Sequence, residues 1–271
     1  MKLKNLYNKV EISIIIPVYN SQFILPKLIK NLKVVLRKKF VNFEIVLIND
    51  FSKDKSWKII KLLSKRYKFV KGINLSENFG QHNALMAGFN ECKGKFIITM
   101  DDDFQHSPTN IFDIYNQLIN GAEACYVTYL NRKHELWKKF LSYANHVISS
   151  FLLNKSLNIY CSSYRGFKNK ILVDIIRFKK SNVYIDALIL NSAKNISVVP
   201  VPHYQRLKGI SNYNFYNLFS LWTDMVENSS IKPLRTGSII VIILKFIIKT
   251  FKKKENLKNK KQYSIIEKTY N

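Results

Sequence analysis

Three consecutive carboxylates, Asp101-Asp102-Asp103, follow directly on the apolar run Phe96-Ile97-Ile98-Thr99-Met100 and lead into Phe104-Gln105-His106. An apolar run of this kind reads as a buried strand of a parallel sheet, because both of its faces must be covered. Such a strand does not normally end in stacked negative charge unless something positive binds there. Side chains alternate along an extended chain, so Asp101 and Asp103 share one side and Asp102 takes the other. Two carboxylates at the carboxyl end of a strand stand where open α/β sheets bind ligands. The simplest chemistry for them is to hold a hard divalent cation, Mg2+ or Mn2+, that in turn holds a diphosphate. The same residues also fit an Asp-rich turn that caps the next helix through Ser107 and Pro108.

The elements that must position these carboxylates are legible from periodicity. Strand patterns cover 11–18, 43–48, 70–74, 95–100 and 122–127, and helical patterns cover 23–36, 55–67, 82–91 and 109–119. Strict alternation of the two predicts an α/β domain with a mostly parallel sheet flanked by helices. The second half is less regular. It holds a long helical pattern at 136–153, a strand-like segment at 160–167, helices at 168–178 and 185–193, and a strand at 196–201.

Composition narrows the partners. The 271 residues carry 44 Lys+Arg against 18 Asp+Glu, a formal net charge of +26. A surface this basic favours a polyanionic partner such as an anionic membrane or a phosphorylated substrate. The lysines are dispersed and no nucleic-acid recognition motif is present, so no nucleic acid is expected as partner. Three isolated cysteines, Cys92, Cys125 and Cys161, fit a reducing compartment rather than a disulfide framework. The first ten residues are charged and lack the long apolar core of a secretory signal. No glycine-rich phosphate loop and no Gly-x-Ser-x-Gly elbow occurs, and the five histidines show no metal-ligand spacing.

A boundary is expected near residue 236, dividing a nucleotide-binding domain (1–235) from a short apolar segment with a basic tail (236–271). The apolar run Ile239–Leu244 is interrupted by Lys245 and Lys249 and followed by Lys252-Lys253-Lys254. A spanning helix needs about 20 mostly apolar residues. The run is better suited to a helix lying in the membrane interface, its lysines reaching lipid phosphates. A solvated basic end is the alternative, and the aromatic-rich helix at 136–153 is a second candidate for membrane contact.

Several motifs, in order, resemble one family. Ser13-Ile14-Ile15-Ile16-Pro17-Val18-Tyr19-Asn20 and Glu44-Ile45-Val46-Leu47-Ile48-Asn49-Asp50-Phe51-Ser52 are similar to the first two strands of family 2 glycosyltransferases. Asn78-Phe79-Gly80-Gln81-His82-Asn83, Asp101-Asp102-Asp103-Phe104-Gln105-His106-Ser107-Pro108 and His203-x-x-Arg206-x-x-Gly209-x-Ser211-x-Tyr213 resemble the branch that transfers sugars to polyprenyl phosphates. The resemblance spans roughly residues 10 to 235, and the ordered combination is specific although each piece is not.

The resemblance implies a GT-A-like fold and an inverting, metal-dependent transfer from a nucleotide sugar to an undecaprenyl-type phosphate. That reaction belongs to cell-envelope glycan synthesis, at the cytoplasmic face of the membrane. It assigns Asp101, Asp103 and Gln105 to the metal, and Pro17, Tyr19, Asp50 and Asp101 to the nucleotide. It assigns Arg132, Arg165, Arg206 and Ser211 to the acceptor phosphate. Asp186 is the candidate base should the acceptor be a saccharide hydroxyl on a lipid-linked glycan. A hydroxyl needs such a base, whereas a phosphate monoester is already anionic near neutral pH. The sequence departs from the branch at Ser21, where glutamate is common, and at Asn212, where lysine is common. A non-catalytic basic binder on the same scaffold is the alternative of another class.

Overall fold

The computed structural model describes residues 10–130, 149–150, 153, 155–202 and 261–270. The strands are β1 (Ile12–Val18), β2 (Phe43–Asn49), β3 (Val70–Leu75), β4 (Phe96–Thr99), β5 (Ala124–Leu130), β6 (Arg165–Lys168), β7 (Ile196–Pro202) and β8 (Ile265–Lys268). The helices are α1 (Leu25–Leu36), α2 (Ser56–Arg66), α3 (Gln81–Glu91), α4 (Ile111–Ile119), α5 (Asn169–Ile175) and α6 (Ile185–Ser192). The strands form one sheet in the order β7-β5-β6-β4-β1-β2-β3-β8.

The central strands are apolar on both faces because helices cover both. Every residue of β2 and β4 is buried. Alternate residues feed opposite layers, as the pleat requires. Ile14, Ile16, Ile45, Leu47 and Ile98 pack with α1, α2 and α4, while Ile15, Val46, Ile48 and Ile97 pack with α3, α5 and α6. Burying each such side chain contributes about 1.5–3 kcal/mol. On the second face, α3 lies close enough to the sheet that only glycine fits at position 88. A Cβ there would stand 2.7 Å from Ile15 Cγ2 and 2.8 Å from Ile48 Cδ1.

Strands β4, β1, β2 and β3 are mutually parallel, as alternation predicts. Two features depart from a simple parallel reading. Strand β6 enters antiparallel between β4 and β5, with Arg165 opposite both Thr99 and Tyr126. It is shorter than the strand pattern at 160–167 and sits at that segment's end. Strand β8 pairs antiparallel with β3, Ile73 facing Lys268 and Asn74 facing Glu267. Residues 261–270, grouped by sequence with the basic tail, thus lie on the sheet. The run Ile239–Leu244, most of the 136–153 pattern and the motif at 203–213 lie outside the described residues. Among the described residues no helix is long and apolar enough to cross a membrane.

Candidate functional site

Chain direction places the site. From β1 the sheet proceeds outward through β2 and β3, whereas β4 lies on the other flank of β1. The carboxyl ends of β1 and β4 therefore border a topological switch point, where open α/β sheets take ligands. Strand β4 stops at Thr99, opposite Ile15. Pro17, which has no N–H to give, falls beyond that ladder and costs no hydrogen bond. The turn after β1 begins at Tyr19 and the turn after β4 at Asp101.

These turns are stapled to their neighbours. The N–H of Asn20 donates to Ser52 Oγ (3.0 Å), and the N–H of Lys53 donates to Asn20 Oδ1 (2.8 Å). The N–H of Ser21 donates to Ser56 Oγ (2.8 Å). Asn20, Phe51 and Phe104, one beyond each of β1, β2 and β4, have φ of 55°, 57° and 63°. Left-handed backbone is costly for residues with a Cβ and collects at functional edges of folds.

Asp101 is oriented from both sides. Gln81 Nε2 donates to its Oδ1 (2.8 Å) and Ser163 Oγ donates to its Oδ2 (2.6 Å). Its own N–H donates to His106 Nδ1 (3.2 Å), whose Nε2 meets Tyr129 Oη (2.7 Å). The His106 ring lies nearly parallel to that of Tyr164, 4.7 Å between centroids. Asp103 is buried, and its Oδ1 accepts the N–H of Gln105 (3.0 Å). Asp102 lies near the β1 turn, where the Ser21 hydroxyl and the Tyr19 backbone favour its charged form. Burial pushes its carboxyl up to about 7, with Asp101 and Asp103 adding to the rise. Its Oδ2 is buried with no hydrogen-bond partner.

Asp50 follows directly on β2 and faces the loop before α3. Its carboxylate accepts the N–H groups of Phe79 (2.8 Å) and Gly80 (3.0 Å). Burial raises its pKa, and those two donors oppose the rise. Gly80 adopts φ 82°, which glycine tolerates without strain, and the helix α3 follows at once. Tyr19 is half-exposed beside this arrangement.

The remaining sequence candidates divide. Arg165 and Asp186, read from sequence as separate acceptor and base residues, are both buried and form an ion pair with each other. Tyr126, Tyr184 and His82 surround the pair electrostatically, and burial lowers the His82 pKa to about 4. Arg132, Arg206 and Ser211 lie outside the described residues. Gln81 and Ser163 are not singled out by sequence, whereas Ser21 is marked there only as a departure from the branch. Gln81 stands inside the motif at 78–83 and Ser163 in the strand-like segment at 160–167, but nothing in their spacing says that they reach Asp101.

Among the described residues no three His, Cys, Asp or Glu side chains gather into a metal cage. The donor set nonetheless fits Mg2+ or Mn2+ bound together with a diphosphate, which needs only one or two protein carboxylates. The orphaned Oδ2 of Asp102 leaves a further unpartnered acceptor at the same edge.

The family model for glycosyl transferase family 2 matches residues 13–176. An undecaprenyl-phosphate 4-deoxy-4-formamido-L-arabinose transferase of Salmonella choleraesuis is 31% identical over 237 residues, covering 86% of this chain and 72% of the relative. The protein of the same name from Shewanella sediminis is 30% identical over 230 residues, covering 84% and 70%. The fold is similar to that of S. aureus TarS 1–349 in complex with UDP, with a TM-score of 0.53, 20% identity and coverage of 82% and 67%. It is also similar to Mycobacterium tuberculosis glucosyl-3-phosphoglycerate synthase in complex with Mn2+, UDP and glucosyl-3-phosphoglycerate, with a TM-score of 0.55, 15% identity and coverage of 83% and 81%.

Proposed function

Since the chain belongs to glycosyl transferase family 2, we propose that it moves a sugar from a nucleotide sugar to a polyprenyl phosphate of the undecaprenyl type, with inversion at the anomeric carbon. The arrangement that carries the donor half is the pair Asp101 and Asp103 at the switch point, with Asp101 held by Gln81 and Ser163. Asp101, Asp103 and Gln105 would hold Mg2+ or Mn2+. When bound, the ion supplies neutralising charge to the departing diphosphate. Asp50 organises the loop into α3 through its two backbone donors, and Pro17 and Tyr19 frame the nucleotide side of the pocket.

The acceptor half rests on Asp186. A saccharide hydroxyl needs a base to take its proton, and the Asp186 carboxylate is buried against Arg165. An acceptor that arrives as an anion needs no such base, which favours a phosphate. The names of the relatives from Salmonella and Shewanella point the same way. Arg132, Arg206 and Ser211 are the residues proposed to position that phosphate, since a guanidinium fork matches its geometry. Arg165 acts from beneath, by fixing Asp186 and β6. The basic and apolar stretch at 236–260 is proposed to rest on the cytoplasmic membrane face, where the lipid acceptor resides.

The test is nucleotide release from a panel of nucleotide sugars with Mg2+ or Mn2+, with and without a short-chain polyprenyl phosphate. Release that requires metal and lipid phosphate, and yields a glycolipid, is the expected result. Release only with a saccharide acceptor would overturn the acceptor assignment and return Asp186 to the role of base. No release by folded protein across the whole panel would favour a non-catalytic binder.

A further inference from the structure

Phe51 combines three properties that packing does not account for. Its φ is 57°, a left-handed backbone that a bulky aromatic rarely adopts. The residue is 47% exposed, so the ring is not there to fill the core. Its conformation is imposed from both sides, since the Asp50 carboxylate is bound by Phe79 and Gly80 and the Ser52 hydroxyl by Asn20. Glycine would satisfy this turn at lower cost. A strained, solvated ring kept at such a position has its use in contact with something else.

The register says where that contact lies. Val18 of β1 pairs with Asn49 of β2, so the turn residues Tyr19-Asn20 and Asp50-Phe51 leave the sheet side by side. Tyr19 is likewise 47% exposed. Two half-exposed aromatic side chains therefore flank Asp50 at the carboxyl edge, beside the Asp101–Asp103 turn. Flat, exposed rings next to a diphosphate-binding edge suit the flat face of a nucleobase.

We infer that Phe51 is a specificity-determining residue whose ring stacks on the nucleobase of the donor nucleotide. This rests on the nucleotide-sugar reading above. Stacking binds the base face and leaves the diphosphate to the carboxylate turn, so the two contributions separate experimentally.

Wild type, Phe51→Gly and Phe51→Tyr would each be titrated calorimetrically with UDP, GDP and inorganic pyrophosphate in the presence of Mn2+, and their thermal midpoints compared. Phe51→Gly should bind the favoured nucleoside diphosphate about tenfold more weakly. It should bind pyrophosphate as wild type does and unfold at a Tm no lower than wild type, because the left-handed strain is gone. Phe51→Tyr keeps the ring and should keep the affinity. Unchanged nucleotide binding by Phe51→Gly, or an equal loss for pyrophosphate, would overturn the stacking role while leaving the donor reading intact. Failure of wild type itself to bind either nucleotide while binding pyrophosphate would remove both.

Discussion

Arg165, the first residue of β6, and Asp186, in the first turn of α6, form an ion pair whose side chains are only 3% and 6% exposed. The pair ties the antiparallel strand that braces the carboxylate turn to the helix covering the second face of the sheet. Arg165 Nη1 also donates to the Ser162 carbonyl (3.3 Å), next to the Ser163 hydroxyl that holds Asp101. Thr99 Oγ1 donates to the Ser163 carbonyl (2.6 Å), which closes the brace onto the end of β4.

Removing one partner of this pair leaves a buried charge unopposed. Asp186→Ala should cost about 3–5 kcal/mol of stability in urea titrations, whereas Arg165→Met/Asp186→Leu together should lie within about 1 kcal/mol of wild type. A stable Asp186→Ala protein that has lost turnover would instead assign Asp186 to the chemistry.

Asp103→Asn should fold normally, because a single oxygen still accepts the Gln105 N–H, and should lose metal-dependent turnover by on the order of 10²–10³-fold. Circular dichroism and the nucleotide-release assay together check this. Wild-type-like turnover would dismiss the proposed metal role of this carboxylate.

Asp102 makes stability pH-dependent with a definite sign. Its folded pKa, pushed up to about 7, exceeds the ordinary carboxylate value, so the folded chain binds the extra proton between roughly pH 4 and 7. Its protonated carboxyl therefore contributes stability that is fully present below about pH 4 and is lost progressively as pH rises to and through 7. Asp102→Asn should remove this component and stabilise the protein above pH 7 by roughly 1–2 kcal/mol, allowing for partial solvent screening. The readout is thermal midpoint against pH for the two proteins, and parallel profiles would refute it.

Strand β8 covers the edge of β3, and its side chains clasp both neighbouring helices. Trp57 Nε1 donates to Glu267 (2.8 Å), Lys268 Nζ pairs with Glu91 (2.6 Å) and Tyr270 Oη donates to Glu91 (3.1 Å). Deleting residues 261–271 should lower stability by about 2–4 kcal/mol and promote association through the bared strand. Chemical denaturation and light scattering would show it, and a monomeric, equally stable deletion would mean that β8 only rests on the edge.

Membrane contact should be tested without disturbing β8, since truncation from residue 237 removes that strand as well. Replacing Lys252, Lys253 and Lys254 by glutamine should weaken binding to anionic liposomes about tenfold or more, with the difference shrinking at high salt. Unchanged flotation with the vesicles would place the contact elsewhere, for example within the 136–153 pattern.

The central strands and most described helices are where periodicity puts them, within one to three residues at most ends. That agreement has a local cause. Strands covered on both faces must be apolar throughout, as in Phe43–Asn49, and a helix lying on them must repeat its apolar residues, as Leu25, Leu28, Ile29 and Leu32 do. The ordered motifs carried the family in the same way, because Asp50 and Asp101-Asp102-Asp103 each follow directly on such a strand. The end of a buried strand is a place that composition marks.

What composition does not mark is pairing. Nothing in Arg165–Lys168 states that it runs antiparallel between β4 and β5, and nothing in Ile265–Lys268 states that it returns to β3. Arg165 and Asp186 read as two separate chemical candidates until folding buried them against each other. Gln81 and Ser163 became partners of Asp101 only when α3 and the lead-in to β6 met at one strand end. The sequence by itself determined which faces are buried and where charge sits along the chain, since both follow from local periodicity. The tertiary structure alone decided which polar groups satisfy one another, because burial forces each to find a partner wherever the packed chain brings one within reach.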